Sequence, residues 1–322
     1  CFRGRAADIL CIDKGILLMT VWLISFAAAA VALAAGIYYL ACRVHACPLV
    51  EALSRRTRVG GWVVSFAVIL LAAAVSVLLL DAVNTAVILL HLVFFMLVSS
   101  LVGKIIICVC GKAARFHLSG VLALIITAAY LAAGAVSAYN VQRTAYSVST
   151  HKEVGSVRVA MFADSHVGAT FGGKGFAKRM EELRSQQPDI VLIVGDFVDE
   201  STTWEDMVES CRALGKLEVP YGVWFVFGNH DKGLYGTSRG YDGDDLVREL
   251  EANGVHVLQD ENVLIDNRFY LVGRKDASEQ EESRGGRADI SDLTASLDPD
   301  KYSIVLDHQP HDYAAEAQAD AD

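Results

Sequence analysis

Four short stretches in the second half of this 322-residue chain end an apolar run with groups that bind metals or move protons. They read ADSH (163–166), GDFVD (195–199), GNHD (228–231) and LDHQP (306–310). Singly, each has an ordinary structural reading, as a common pair, a turn or a hydrogen-bonded loop. Together they do not, because burying that many carboxylates and imidazoles side by side is costly unless cations hold them. Asp164 and His166 are two residues apart, so they project to one side of an extended strand end and can chelate one ion. Asp196 follows a glycine that permits a tight turn, and its two oxygens can serve two ions. Asn229 offers an amide oxygen and His308 a further imidazole. Mixed oxygen and nitrogen donors suit Mn, Fe or Zn rather than Ca. The set suits a pair of divalent ions bridged by Asp196, the usual device for in-line displacement at phosphorus.

The elements that must carry these groups alternate. SVRVAMFAD, DIVLIVGD (189–196) and GVWFVFGN (222–229) are predicted strands, the last two apolar enough to be buried on both faces. FAKRMEELRSQQ (176–187), WEDMVESCRAL (204–214) and DDLVRELEANG (244–254) have helical spacing between them. VHVLQ, NVLIDN and FYLVG follow as short strands, then ISDLTASL as a helix and YSIVLDH (302–308) as a strand. This order predicts an α/β layer sandwich. The carboxyl ends of strands in open α/β sheets line the ligand crevice, so Asp164, His166, Asp196, Asn229, His230 and His308 are expected on one sheet edge. The glycine-rich GATFGGKG (168–175) lacks a phosphate loop's Gly-Lys-Ser/Thr ending and reads as a flexible rim loop that does not run straight into a helix. Asp199 is expected to support its turn, and Arg274 and Asp276 are placed within reach of substrate by position alone.

The first half is a different object. Up to residue 150 there are eleven Lys/Arg against four Asp/Glu, and beyond it seventeen against thirty-four, within a net charge of −10 and a mean hydropathy of +0.36. Four apolar runs (15–41, 61–80, 84–102 and 119–139) each reach the roughly 20 residues that cross a bilayer as a helix. The organisation expected is a four-helix membrane domain over 1–139, a polar linker over 140–155 and an α/β domain over 156–322. Arg43, Arg55, Arg56 and Arg58 after the first helix, and Lys104, Lys112 and Arg115 after the third, mark cytoplasmic loops and place the second half outside the cytoplasm. Arg3, Arg5, Lys14, Arg143 and Lys152 pull the other way. A catalytic domain so tethered works near the bilayer, on phospholipid or cell-envelope phosphates. Its acidic surface disfavours a nucleic-acid partner. Six of seven cysteines lie in or beside the membrane runs, and Cys211 alone cannot form a disulfide within the second half. His91, mid-run, reads as a helix-to-helix hydrogen bond.

ADSHVG, GDFVD, GNHD and LDHQP, in this order and spacing, resemble the calcineurin-like metallophosphoesterase family, and the attachment to membrane helices is similar to its membrane-bound bacterial branch. The resemblance covers residues 156–322 and implies two β-sheets packed face to face with helices outside. By motif it implies Asp164 and His166 as ligands of a first metal, Asp196 as the bridge, and Asn229 and His308 as ligands of a second. It implies His230 as the histidine that contacts the phosphate and assists the leaving oxygen, with Asp231 fixing its tautomer. The activity implied is hydrolysis of a phosphomonoester or phosphodiester by a metal-bridging hydroxide. A membrane sensor whose phosphoesterase-like domain does not turn over is the alternative. The family pattern continues with Gly-His-x-His after a further strand, whereas this chain stops at HDYAAEAQADAD, so an incomplete metal shell is expected of these residues.

Overall fold

The computed structural model describes residues 3–54, 57–110, 116–235, 239–280, 285–319 and 321–322. Arg55, Arg56, Lys112 and Arg115, on which the orientation argument leans, lie outside the described residues. The chain divides into two compact units, Cys1–Ala138 and Tyr139–Asp322.

The first unit is helical: α1 (Arg3–His45), a short α2 (Pro48–Ser54), α3 (Arg58–Leu79), α4 (Ala82–Cys110) and α5 (Phe116–Tyr139). Among the described residues, four stretches are long and apolar enough to span a membrane: Thr20–His45, Val59–Leu79, Ala82–Val109 and Gly120–Tyr139. Their large apolar side chains point outward, as Phe26, Leu78 and Val136 do, a surface that suits lipid rather than water. The buried positions include the small residues Ala41, Ser65, Thr85, Ala123 and Thr127, which let helices approach closely. Ser65, Thr85 and Thr127 donate to the carbonyls four residues back, so none of these three hydroxyls is stranded. His91 departs from expectation. Its Nδ1 pairs with the Val87 carbonyl of its own helix at 2.8 Å, and its ring stacks on Tyr130 of α5 at 5.4 Å.

The second unit is a layered α/β fold. Strands β1 (Val159–Phe162), β2 (Ile190–Val194), β3 (Val223–Val226) and β4 (Val255–Val257) form an all-parallel sheet in that order. Helices α6 (Gly173–Arg184), α7 (Trp204–Gly215) and α8 (Gly243–Ala252) make the crossovers. A second sheet, β5 (Glu261–Ile265), β6 (Phe269–Gly273) and β7 (Tyr302–Leu306), pairs β5 antiparallel and β7 parallel to β6. A short α9 (Ile290–Thr294) precedes β7, and α10 (Tyr313–Glu316) follows it.

Alternation along the central strands explains the layering. Val191 and Ile193 of β2, with Val223 and Phe225 of β3, pack against helix residues such as Phe176, Met207 and Leu246. Their neighbours Ile190, Leu192, Val194, Trp224 and Val226 face Ile265, Phe269, Leu271 and Leu306 of the second sheet. Both faces are therefore buried, which is why these strands read as unbroken apolar runs. Helix α6 begins at Gly173, inside the glycine-rich stretch, so that stretch does lead directly into a helix. Asp206 of α7 accepts from the Gly173 N–H at 2.6 Å and occupies the helix's N-terminal end.

Candidate metal centre

Strands β1, β2 and β3 end together, and β7 ends beside β2 from the other sheet. Past β1 the backbone stays bonded to the loop after β2, through Asp164 N–H to Gly195 O, His166 N–H to Asp196 O and Val167 N–H to Phe197 O. Asp164, His166 and Asp196 are thereby gathered so that one ligand atom from each lies within 4.8 Å of the others. Their backbone is unusual. All three have positive φ, 53°, 38° and 51°, a region that non-glycine residues seldom occupy and that clusters at functional sites.

Two glycines let the second sheet and β3 close on Asp196. A Cβ at Gly195, which has φ +77°, would stand 2.5 Å from the His308 ring, and one at Gly228 would collide with the Asp196 carboxylate. His308 Nδ1 donates to the Val194 carbonyl at 2.9 Å, which turns Nε2 toward Asp196 Oδ2 at 3.3 Å. His166 Nε2 faces the same oxygen at 3.5 Å, while its Nδ1 faces Asp199 Oδ2 at 3.6 Å. Asp199 also takes the Ser201 N–H and hydroxyl, so it supports its turn as expected and directs an imidazole as well.

The arrangement fits divalent cations. His308 bonds Nδ1 to Val194 and His166 turns Nδ1 toward Asp199, and both present Nε2 to a carboxylate oxygen, the usual orientation of metal-ligating histidines. Lone pairs facing one another across 3.3–3.9 Å repel unless a cation lies between them. Without a metal, a proton takes that place. Burial lowers the affinity of His308 for it, but the hydrogen bonds to Asp196 and Val194 outweigh this and raise the imidazole to about 9. Burial raises the Asp196 carboxyl, yet its bonds from His308 and the His230 N–H hold it below the ordinary range. Asn229 is buried at the same edge. Its Oδ1 accepts from Gln309 Nε2 at 2.6 Å and its Nδ2 donates to the Tyr235 hydroxyl at 3.1 Å.

Three assignments change. Asp231 does not hold His230: its fully buried carboxylate turns back to the strand ends and accepts the N–H groups of Asp196, Val198 and Gly228 at 2.7–3.0 Å. Those amides have left the sheet ladder and need an acceptor. Burial pushes the Asp231 carboxyl up to about 7 against the pull of these donors. The partner of His230 is Glu200, with both carboxylate oxygens within 3.0 Å of Nδ1. Arg239 braces this corner, donating to the Asp231 carbonyl at 2.6 Å and the His230 carbonyl at 3.3 Å. Arg274 cannot reach a substrate. It is buried and bonded to Asp307, Asp312 and Glu316 at 2.9–3.2 Å, where it fixes the strand end that carries His308. Asp276 is likewise buried, its Oδ1 taking the Ser278 N–H at the start of a 3-10 turn.

The family model for calcineurin-like phosphoesterases matches residues 157–321, just over half of the chain and all four strand ends. The chain belongs to the calcineurin-like phosphoesterase family. Among curated relatives of this metallophosphoesterase, an uncharacterized metallophosphoesterase of Bacillus subtilis, YkoQ, is 33% identical over 138 residues, covering 42% of this chain and 47% of that protein. A bovine transmembrane protein with metallophosphoesterase domain is 26% identical over 213 residues, 62% of this chain and 46% of the relative. An uncharacterized metallophosphoesterase of Campylobacter jejuni is 26% identical over 233 residues, 68% and 58%. The chain spans about half the length of the curated relatives it matches. Four apolar helices and transmembrane relatives support membrane association of this family member.

Proposed function

We propose that this phosphoesterase is a membrane-anchored, metal-dependent hydrolase of a phosphomonoester or phosphodiester. The observation that carries the reading is Asp196 Oδ2, faced from two sides by imidazole nitrogens whose opposite nitrogens are already engaged. Asp164, His166 and Asp196 would hold one divalent ion, and Asp196, Asn229 and His308 a second, with Mn, Fe or Zn matching the donors. When bound, such ions acidify water and offset the charge of phosphoryl oxygens.

The chain's own residues do the rest. His230 gives its Nε2 proton to the bridging ester oxygen as the P–O bond breaks, so the alcohol leaves neutral while water supplies the new oxygen on phosphorus. Glu200 accepts from Nδ1–H, stabilising the imidazolium and aiming the ring. Asp199 and the Val194 carbonyl face Nδ1 of His166 and His308, so that Nε2 is the nitrogen each ring would offer to an ion. We assign 1–139 to the membrane, 140–155 to a linker and 156–322 to the catalytic domain, outside the cytoplasm and acting on a phosphoester met close to the bilayer.

The test is metal analysis and a phosphoester panel on the full-length protein in detergent. His230→Ala should lower kcat about 100-fold or more and leave the metal content unchanged, as expected for a lost acid. Absence of bound Mn, Fe or Zn, or no turnover with any of them, would instead favour a sensor. Protease treatment of intact cells checks the side: full protection of the second unit places it in the cytoplasm.

A further inference from the structure

His230 is surrounded by three side chains of different character. The His166 ring meets it edge-on at 5.1 Å, on the side of the metal ligands. Glu200 lies on Nδ1 and carries negative charge. The Tyr235 ring packs against it at 5.0 Å and 46°, and yet Tyr235 remains 61% exposed. Of these three, Tyr235 alone presents an open apolar face. Its other end is fixed as well, because the hydroxyl accepts from Asn229 Nδ2 at 3.1 Å. Leu234, also exposed, extends the apolar surface beside it.

A proton donor to the leaving oxygen must stand next to the alcohol portion of the ester. Of the three neighbours of His230, Tyr235 is the one that can offer that portion an open apolar face. We propose that Tyr235 is the platform for the leaving group, and that the site selects phosphoesters whose alcohol carries a flat, uncharged or cationic aromatic face. Offset or edge-on ring pairs gain beyond simple burial, and a platform held at both ends loses little freedom when a ligand settles on it. Glu200, half-exposed on Nδ1 of the same ring, adds nearby negative charge that disfavours an anionic leaving group. The inference rests on the phosphoesterase reading for the position of the alcohol, and it deepens that reading by naming the class of ester.

The experiment separates the two. Phosphonates in which CH2 replaces the bridging oxygen bind without turnover. Calorimetry on the Mn-loaded, full-length protein gives Kd for benzylphosphonate and butylphosphonate with wild type, Tyr235→Phe and Tyr235→Ala. The expected result is a preference for the benzyl compound of about three- to tenfold in wild type, kept in Tyr235→Phe and lost in Tyr235→Ala. The same ratio should appear in kcat/KM for aryl and alkyl phosphates of matched leaving-group acidity. Equal affinities in wild type, a preference that survives Tyr235→Ala, or no binding of either compound overturns the proposal. A Tyr235-dependent aryl preference with no hydrolysis of any ester sinks the hydrolase reading and leaves the platform standing.

Discussion

Both carboxylate oxygens of Glu200 lie within 3.0 Å of Nδ1 of His230, thirty residues further along the chain. A carboxylate so placed takes the Nδ1 proton and holds the other ring nitrogen on one line. Replacing it by an amide keeps the shape and removes the charge. Glu200→Gln should lower kcat about 10- to 100-fold on esters with a basic alkoxide leaving group. On 4-nitrophenyl phosphate, whose leaving group needs no proton, the loss should be small. Steady-state kinetics on the two esters decides it, and an equal loss on both would remove Glu200 from proton transfer.

Gly195 and Gly254 make a matched pair. Their φ values are +77° and +76°, but a Cβ at Gly195 meets the His308 ring at 2.5 Å, whereas one at Gly254 meets nothing within 4 Å. Alanine at either position should cost about 1 kcal/mol for the left-handed backbone. Only Gly195→Ala should also weaken Mn binding, by displacing His308. Titration calorimetry on the two variants measures this directly, and equal affinity would show that His308 is no ligand.

Asp231, fully buried, satisfies three backbone donors. In Asp231→Asn the amide group must face at least one N–H, leaving a buried donor unmet at roughly 1–3 kcal/mol. Differential scanning should find the second unit melting earlier, while Glu200→Gln, on a half-exposed side chain, should leave the melting temperature unmoved. A stable Asp231→Asn protein that loses only turnover would restore a direct role for Asp231.

Within the Arg274 cluster the two acids respond to pH with opposite signs, because burial raises the Glu316 carboxyl while Asp312 is lowered. The guanidinium hydrogen bond holds the Asp312 carboxyl below its ordinary value. A carboxyl depressed in the folded state stabilises the fold above its unfolded value, about 3.9, and that contribution is lost as pH falls through the folded value. Arg274→Met leaves the buried Asp307 with Arg287 alone and frees Asp312 and Glu316, at a cost of roughly 3–5 kcal/mol. Hydrogen exchange over 302–316 should quicken at neutral pH in the variant and respond less to acidification than in wild type. Unchanged protection would mean that α10 is held by packing alone.

What could be read in advance depended on how far each property is local. Buried strands β2 and β3 announce themselves because a strand covered on both faces has no polar side to show. The strand-end carboxylates and imidazoles were legible because parallel strands deliver their carboxyl ends to one edge. Asp231 misled because adjacency to His230 in sequence says nothing of direction: successive side chains diverge, and this one turns inward to the amides. Glu200 carried a weak signal, a second carboxylate directly after GDFVD, but its partner depends on how two loops cross. Arg274 and His91 likewise take their partners from tertiary contacts that no spacing reveals. His91 settles on its own helix's carbonyl and the Tyr130 ring.

Asp164, His166 and Asp196 all have positive φ, and the backbone bonds from Asp164 and His166 to the loop after β2 hold them there. The unfolded chain rarely visits that geometry, so the fold itself keeps these donors spread and facing one another, and loading needs no loop to rearrange. Uptake then becomes a matter of kinetics on the ion's side: how quickly it sheds its own water. Mg, which dehydrates reluctantly and demands near-ideal octahedral oxygen ligation, should enter slowly and leave without competing. Mn and Zn should load at rates set by the ion rather than by the protein, and stopped-flow mixing should find those rates insensitive to viscosity.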